Sequence, residues 1–418
     1  MKILLVTPVF PPAIGGIEQH VFNLAKELKA KGIHADVLTT EVGLKKFREK
    51  QEINGINIFR VKAGLKDNSD LALKGSMMIW PLTKKLFQLM EKENYDLLHA
   101  HCPFTLAACI PAKFFYGIPA ITTIHGNWIN CIKGRRYFEG RVCTKKDYSN
   151  AKRCSRCLNQ GTTKIKLKQY ILRNLAEQCD ALIAVSSDVK NSIKLNKKAR
   201  IKVIPNVSSK AKDLSKMAAR KALKWNEKNK IITFIGSLLE EKGAMVLLKA
   251  AKHILDKNND VELHLIYNFY DIDYLKKIKH YVNKEKILNK VYFHYKVPNK
   301  EVRRKFIPAS DLIVLPSLWP EPCSTIVTEA MSASIPILAS RIGGFKDLIE
   351  DKTDGILFKA GNSIELAEKI NLLFAHRKKL QKLKKNSKNK FNRLLNWNVV
   401  SNNMIKVYNE ETKGRENK

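Results

Sequence analysis

The chain has 418 residues, 44% hydrophobic and 28% charged, the proportions of a soluble globular protein long enough for two domains with separate cores. No apolar run reaches the roughly 18 residues that a spanning helix needs, and Pro interrupts the short apolar start MKILLVTPVFPP, so neither a membrane span nor a signal peptide is expected. Lys+Arg total 76 against 39 Asp+Glu, a net charge of +37, and such a surface attracts polyanions, either nucleic acid or an anionic leaflet.

In chain order, KILLVT reads as a buried strand and IEQHVFNLAKELKAKG as an amphipathic helix ending at Gly32. HADVLTT, INIFRV, YDLLHAH, AITTIHG, ALIAVS and IKVIPNV follow as strands, with helical patterns such as WPLTKKLFQLMEKE and LKQYILRNLAEQ between some of them. A Lys/Ser-rich connector over about 208–229 separates this half from a second α/β pattern: KIITFIGS, helix GAMVLLKAAKHIL, then VELHLIY, VYFHYKV, DLIVLPS and IPILAS. The basic tail from 362 reads as two helices, and NWNVVSNNMIKVYNEE is suited to pack back across the domain boundary. Strands alternating with helices imply doubly wound parallel sheets. The expected domains are 1–207, with a Cys-rich insertion at about 127–162, then 208–390, and a helical segment 391–418 returning to the first.

Ligands sit at the carboxyl ends of the strands in such sheets, and the notable residues fall in those loops. Gly15-Gly16 opens the first helix and allows an anion to approach its free N–H groups; the stretch is not G-x-G-x-x-G, which argues against a dehydrogenase. Gly236-Ser237 ends the first strand of the second half, and Lys242 stands just ahead of a helix as a point charge suited to a diphosphate. His125 ends a β-branched strand and is placed to donate to a hydroxyl or phosphate; His99 and His101 are assigned to packing. In WPEPCSTIVTEAM, Pro320 and Pro322 keep Glu321 in a loop. Ser324 and Thr325 form an N-cap pair for the helix carrying Ile326 and Glu329.

Taken together, these pieces resemble the family 4 retaining glycosyltransferases of the GT-B fold over nearly the whole chain. The most specific stretch is LPSLWPEPCSTIVTEAMSASIPILASRIGGFKDLIEDKTDGILF, similar to that family's E-x7-E region. The resemblance implies two Rossmann-like domains facing a central cleft, the first binding acceptor and the second donor. It implies that Glu321 binds donor-sugar hydroxyls, Glu329 the ribose, Lys242 and the backbone at Ser324, Thr325 and Ile326 the diphosphate. Gly15, Gly16, Gly236 and Ser237 would adjoin that diphosphate, and His125 would contact the transferred sugar. His125, Lys242 and Glu321 are thus the implied catalytic residues, with no cofactor required for catalysis. Three departures weaken the expected donor contacts: Ser237 where the family has Arg, Ser334-Ile335 where it has Gly, and PCSTI where it has Phe-Gly-Leu.

The insertion carries Cys131, Cys143, Cys154 and Cys157 as C-x11-C-x10-C-x2-C, a spacing able to close a structural zinc site or an iron–sulfur cluster. Cys102, Cys109, Cys179 and Cys323 sit in apolar contexts as packing residues. Lys outnumbers Arg and is spread along the chain instead of concentrated with aromatics, so nucleic acid is not the expected partner. The expected partners are a nucleoside-diphosphate sugar, a lipid-linked or glycan acceptor and an anionic membrane surface. The expected location is the cytoplasm, peripheral on the inner face of the membrane. The rival readings are a binding protein of the same fold with weakened catalysis and, resting on charge and cysteines alone, a nucleic-acid-binding protein.

Overall fold

Lys2–Val6 forms strand β1 in a computed structural model that describes residues 1–12, 15–44, 46–65, 74–195, 199–208 and 214–413. Ile3 to Val6 are fully buried, because a central parallel strand is covered on both faces and must be apolar at consecutive positions. Around it lie β2 (His34–Thr40), β3 (Lys50–Ile53), β4 (Ile56–Val61), β5 (Leu97–Ala100) and β6 (Ala120–Ile124). A short hairpin, β7 (Tyr137–Phe138) and β8 (Arg141–Val142), stands apart, and β9 (Ala181–Ala184) and β10 (Ile201–Val203) complete the main sheet. Its order is β10-β9-β6-β5-β1-β2-β4-β3. Every pairing is parallel except that of β3 with β4. The sequence pattern does not announce β3: KQEI is a half-exposed edge strand with no buried residue, so it lacks the apolar run of its neighbours.

Helices α1 (Gly16–Ala30), α2 (Ile79–Lys92), α3 (Pro103–Tyr116) and α4 (Thr162–Glu177) supply the crossovers. The chain leaves β1 toward β2 and β4, then returns to β5 on the other side of β1. That reversal is a switch point, where the loops after adjacent strands diverge and leave a crevice. Gly15 follows β1, His101 follows β5 and His125 follows β6, so this end of the sheet collects them.

The second sheet has the order β13-β12-β11-β14-β15-β16, all parallel. Its strands are β11 (Lys230–Ile235), β12 (Val261–Tyr267), β13 (Val291–Tyr295), β14 (Leu312–Leu315), β15 (Ile337–Ser340) and β16 (Ile356–Phe358). Helices α5 (Ala244–Leu255), α6 (Ile272–Lys284), α7 (Thr325–Ser332) and α8 (Ser363–Ala375) flank it. The switch point lies between β11 and β14, and the loops that leave it carry Lys242 and Glu321.

The two doubly wound parallel units match the expected fold class. By contacts the first comprises Met1–Arg136, Cys143–Val207 and Trp397–Lys418, and the second Tyr137–Val142 and Ser208–Asn396. Among the described residues from 362 onward there are three helices where the sequence suggested two: α8, α9 (Arg377–Leu394) and α10 (Trp397–Lys413). Helix α10 belongs to the first unit because its apolar face is committed there. Tyr408 is fully buried, with its hydroxyl 2.8 Å from His99 Nδ1, and the Trp397 and His20 rings lie 5.3 Å apart. Among the described residues no helix is long and apolar enough to cross a membrane.

Candidate functional site

In the second unit the loop after β14 is shaped by glycines far from it in sequence. Gly344 N–H donates to Glu321 O at 2.7 Å. A Cβ on Gly343, whose φ is +56°, would stand 2.5 Å from that oxygen, and one on Gly344 would stand 2.2 Å from Pro322 O. Only glycine permits this approach, and it fixes the backbone from which Glu321 projects. Gly243 does the same from the other side. Its φ is +74°, a Cβ there would meet Pro316 O at 1.9 Å, and Leu318 N–H donates to Glu241 O at 2.8 Å. The turn bearing Lys242 is therefore strapped to the loop bearing Glu321.

Glu321 is buried, and one of its oxygens, Oε1, accepts three hydrogen bonds. Lys242 Nζ donates at 2.5 Å, Trp319 Nε1 at 2.9 Å and Ser317 Oγ at 3.1 Å. Lys242 Nζ also lies 5.0 Å from the centroid of the Trp319 ring, a cation–π contact that holds the ammonium from a second side. Buried charges need this kind of pairing, since a lone carboxylate out of water is costly. Sequence reasoning named Glu321, Lys242 and the loop stretch that begins at Trp319, but not Ser317, four residues before Glu321.

Glu329 sits on α7, whose start agrees with the expected one: Ser324 is the N-cap and Thr325 the first helical residue. The N-cap pair itself is not formed, because no side chain caps the helix; the first-turn N–H groups, Thr325 and Ile326 among them, are left to other partners. Glu329 Oε1 accepts from Ser208 Oγ at 2.8 Å and lies 3.8 Å from Arg303 Nη1. Ser208 is placed by its own N–H, which donates to Thr328 Oγ1 at 3.0 Å. Arg303 and Ser208 were not anticipated. Gly236 N–H continues the β11–β12 ladder to Ile266 O at 3.1 Å, and Ser237, half-buried after it, brings no cation.

In the first unit four histidines gather. His101 Nδ1 lies 3.1 Å from His125 Nε2, and Asn206 Nδ2 lies 3.0 Å from His125 Nδ1. With the Asn206 amide as donor, the His125 proton sits on Nε2 and is given to His101, whose own proton is then on Nε2. That atom and both ring nitrogens of His20 are buried without a hydrogen-bond partner. Burial pushes His20 and His99 down to about 3 and holds His101 and His125 well below the ordinary imidazole range, so all four are neutral. His99 has the packing role expected of it, bridging Tyr408 and Thr123 Oγ1 at 2.8 Å each. His101 does not, being bonded to His125. Gly15 is the extended N-cap of α1, and a Cβ on it would stand 2.2 Å from Glu18 Oε2. Burial raises the Glu18 carboxyl, so a group that had not been anticipated occupies the space beside the Gly-Gly step.

The structural metal expected at Cys131, Cys143, Cys154 and Cys157 finds no support in the geometry of the described residues. Among the described residues, the only group of three or more metal-ligating atoms within 4.8 Å of one another is His20, His101 and His125, and the His101–His125 bond already engages one nitrogen of each. Cys154 and Cys157 share the helix Ala151–Leu158, but Cys154 Sγ is held by Gln169 Nε2 at 3.8 Å and Cys131 Sγ by Arg136 N–H at 3.4 Å. Desolvation pushes the Cys154 thiol up to about 11 and raises Cys143 and Cys157, which opposes the thiolate form that binds metal. Of the four cysteines assigned to packing, Cys109 is buried, while Cys102, Cys179 and Cys323 are only partly so.

Residues 14–207 match the family described as Glycosyltransferase Family 4, and residues 215–390 the family described as Glycosyl transferases group 1. An uncharacterized glycosyltransferase of Methanocaldococcus jannaschii is 25% identical over 98% of both chains. The UDP-Gal:alpha-D-GlcNAc-diphosphoundecaprenol alpha-1,3-galactosyltransferase of Escherichia coli is 25% identical over 73% of each. Anabaena HepE, solved in complex with UDP-glucose, superposes with a TM-score of 0.71 at 20% identity, covering 98% of this chain and all of that one.

Proposed function

Because the chain is a glycosyltransferase of the GT-B type, with a family 4 half followed by a group 1 half, we propose that it moves a hexosyl group from a nucleoside-diphosphate sugar to a hydroxyl of a lipid-linked or cell-surface glycan precursor, with retention of anomeric configuration. The observation that carries the donor assignment is the Lys242–Glu321–Trp319–Ser317 knot beside the uncapped start of α7. The E. coli relative, by its name, uses a UDP-sugar and a polyprenyl-diphosphate acceptor, and HepE binds UDP-glucose; both fit this reading.

In the proposed mechanism the bond between the anomeric carbon and the diphosphate oxygen breaks. Negative charge grows on the diphosphate and positive charge on the sugar ring. Lys242 and the N–H groups of Thr325 and Ile326 stabilise the first, so no metal is required. Glu329 holds the ribose hydroxyls, and the free oxygen of Glu321 takes a sugar hydroxyl. Gly236 and Ser237 adjoin the diphosphate on the same unit. The acceptor hydroxyl attacks from the face the diphosphate leaves and passes its proton to a departing phosphate oxygen, without a protein nucleophile. Neutral His125 is the residue offered to the transferred sugar, and the unpaired nitrogens of His101 and His20 suit acceptor hydroxyls. The enzyme acts peripherally on the cytoplasmic side of an anionic membrane.

The test is a hydrolysis and transfer screen across uridine, guanosine and adenosine diphosphate sugars, with the product anomer read by NMR. Binding without turnover of any donor would favour the catalytically weakened relative, for which Ser237 in place of a cation is the supporting feature.

A further inference from the structure

Helix α4 is apolar on two opposite sides. Taking about 100° per residue, buried Ile165, Gln169 and Ala176 line the inward side, where Gln169 bonds to Tyr148 O. On the opposite side Leu167, Tyr170 and Ile171 are 57%, 65% and 51% exposed. One apolar side anchors a surface helix; a second facing water has no role in the fold. The basic residues flank this outer stripe, Lys164 and Lys168 on one edge and Lys166 and Arg173 on the other. No acid precedes Glu177, the last residue of the helix.

The neighbouring helix extends the apolar part of the pattern. Helices α3 and α4 pack together, α3 carries no acid and its Lys113 is ion-paired with Asp180, and its end exposes Phe114 and Phe115 by 63% and 73%. Phe115 is backed by Phe87 of α2, ring centroids 5.4 Å apart, so the exposed ring is supported from beneath.

We propose that the outer face of α3 and α4 is a docking surface for an anionic lipid bilayer, the apolar stripe entering the boundary between headgroups and acyl chains while the flanking Lys and Arg engage phosphates. This rests on the reading that the acceptor is membrane-borne, and names the surface that meets the membrane. Such a face has the makeup of an interfacial helix. Charge complementarity selects the occupant. A second copy of a chain of net charge +37 would set these cations against its own, and a nucleic acid would leave the apolar stripe in water.

The test is co-sedimentation of the full chain with phosphatidylcholine vesicles, with and without phosphatidylglycerol. The wild type should sediment with the anionic vesicles and hardly with the neutral ones. Leu167→Ser with Ile171→Ser, and separately Phe115→Ser, should each weaken that binding by roughly tenfold or more, with the circular dichroism spectrum and thermal transition unchanged. Lys164→Glu with Lys166→Glu should do the same without removing any apolar group. Equal sedimentation of wild type and variants, or of neutral and anionic vesicles, would overturn the proposal. So would a wild-type dimer in the ultracentrifuge that the serine variants lack, which would mark a self-association face. Donor binding, measured by calorimetry without lipid, reports on the glycosyltransferase reading independently of these outcomes.

Discussion

Lys242 and Glu321 are ion-paired, Nζ to Oε1 at 2.5 Å, across 79 residues of sequence. The cation assigned to the diphosphate is thus partly neutralised by the carboxylate assigned to the sugar, and an incoming donor must share it. Lys242→Ala should weaken nucleoside-diphosphate binding by roughly tenfold to a hundredfold, the worth of about 1.5–3 kcal/mol for a charge-assisted contact. Glu321→Ala should instead release Lys242, leaving nucleoside-diphosphate affinity equal or tighter while transfer from the full donor collapses. Calorimetry with the diphosphate and initial rates with the sugar nucleotide separate the two. Equal losses of affinity in both variants would refute the division of labour.

Glu329 Oε1 accepts from Ser208, and the proposed function assigns the carboxylate to the ribose. Glu329→Gln keeps the shape but loses the charge, and should lower ribonucleoside-diphosphate affinity about tenfold. The same substitution should hardly change affinity for the 2′,3′-dideoxy analogue, which has no hydroxyl to offer. A parallel loss for both nucleotides would place the effect in the fold of α7, not in ribose recognition.

Gly343, Gly344 and Gly243 act on the site without touching a ligand. An alanine Cβ at any of them would stand 2.6 Å or less from backbone oxygen of the Pro316–Pro322 loop, and backbone can yield only by moving. Each alanine variant should cost about 1–3 kcal/mol of stability. Because the displaced backbone bears Glu321, activity should fall at temperatures where the variant remains folded. Denaturant melts paired with rates will show this; a destabilised variant with wild-type turnover per folded molecule would remove the positioning role.

The central strands were legible because a parallel strand buried on both faces writes itself as an unbroken apolar run, as ILLV of β1 and LIVL of β14 do. β3 was not, since half-exposed KQEI carries no such run, nor was β16, only three residues long. Glu321, Glu329 and Lys242 could be named from motif and spacing, but not their partners. Spacing says nothing of a Lys242–Glu321 contact made by two separate loops, or of the Gly343-Gly344 step that supports it. The histidine cluster left a trace that could have been used. In LLHAH, His99 lies within β5 and His101 just past it, two positions on, where their rings stand 4.2 Å apart and His101 meets His125 at the end of the next strand. The cysteines show the converse: their spacing suits a metal, and among the described residues no three of the four sulfurs lie within 4.8 Å of one another.

The neutral histidines make the protein acid-labile in a defined window. His20 and His99 are lowered to about 3, chiefly by burial, and His101 and His125 are held well below the ordinary imidazole range by burial and by the histidines around them. His264 of the second unit is also lowered to about 3, and His294 is lowered. An unfolded chain takes up these protons near the ordinary imidazole pKa of about 6.5, whereas the folded chain does not. Depressed pKa values therefore give stability that is fully present above about pH 6.5 and is lost progressively as pH falls toward about 3. Below the unfolded value each such group contributes a slope of up to about 1.4 kcal/mol per pH unit. Glu18, raised by burial, works in the opposite sense, but only as pH approaches the carboxylate range. Unfolding free energy should be flat from about pH 8 to 7 and then drop steeply between about pH 6 and 5. His99→Asn should remove about one proton's worth of that slope, whatever its own effect on stability at neutral pH. Denaturant titrations across this range check both points, and a flat profile down to about pH 5 would show that the imidazoles are not held neutral by the fold.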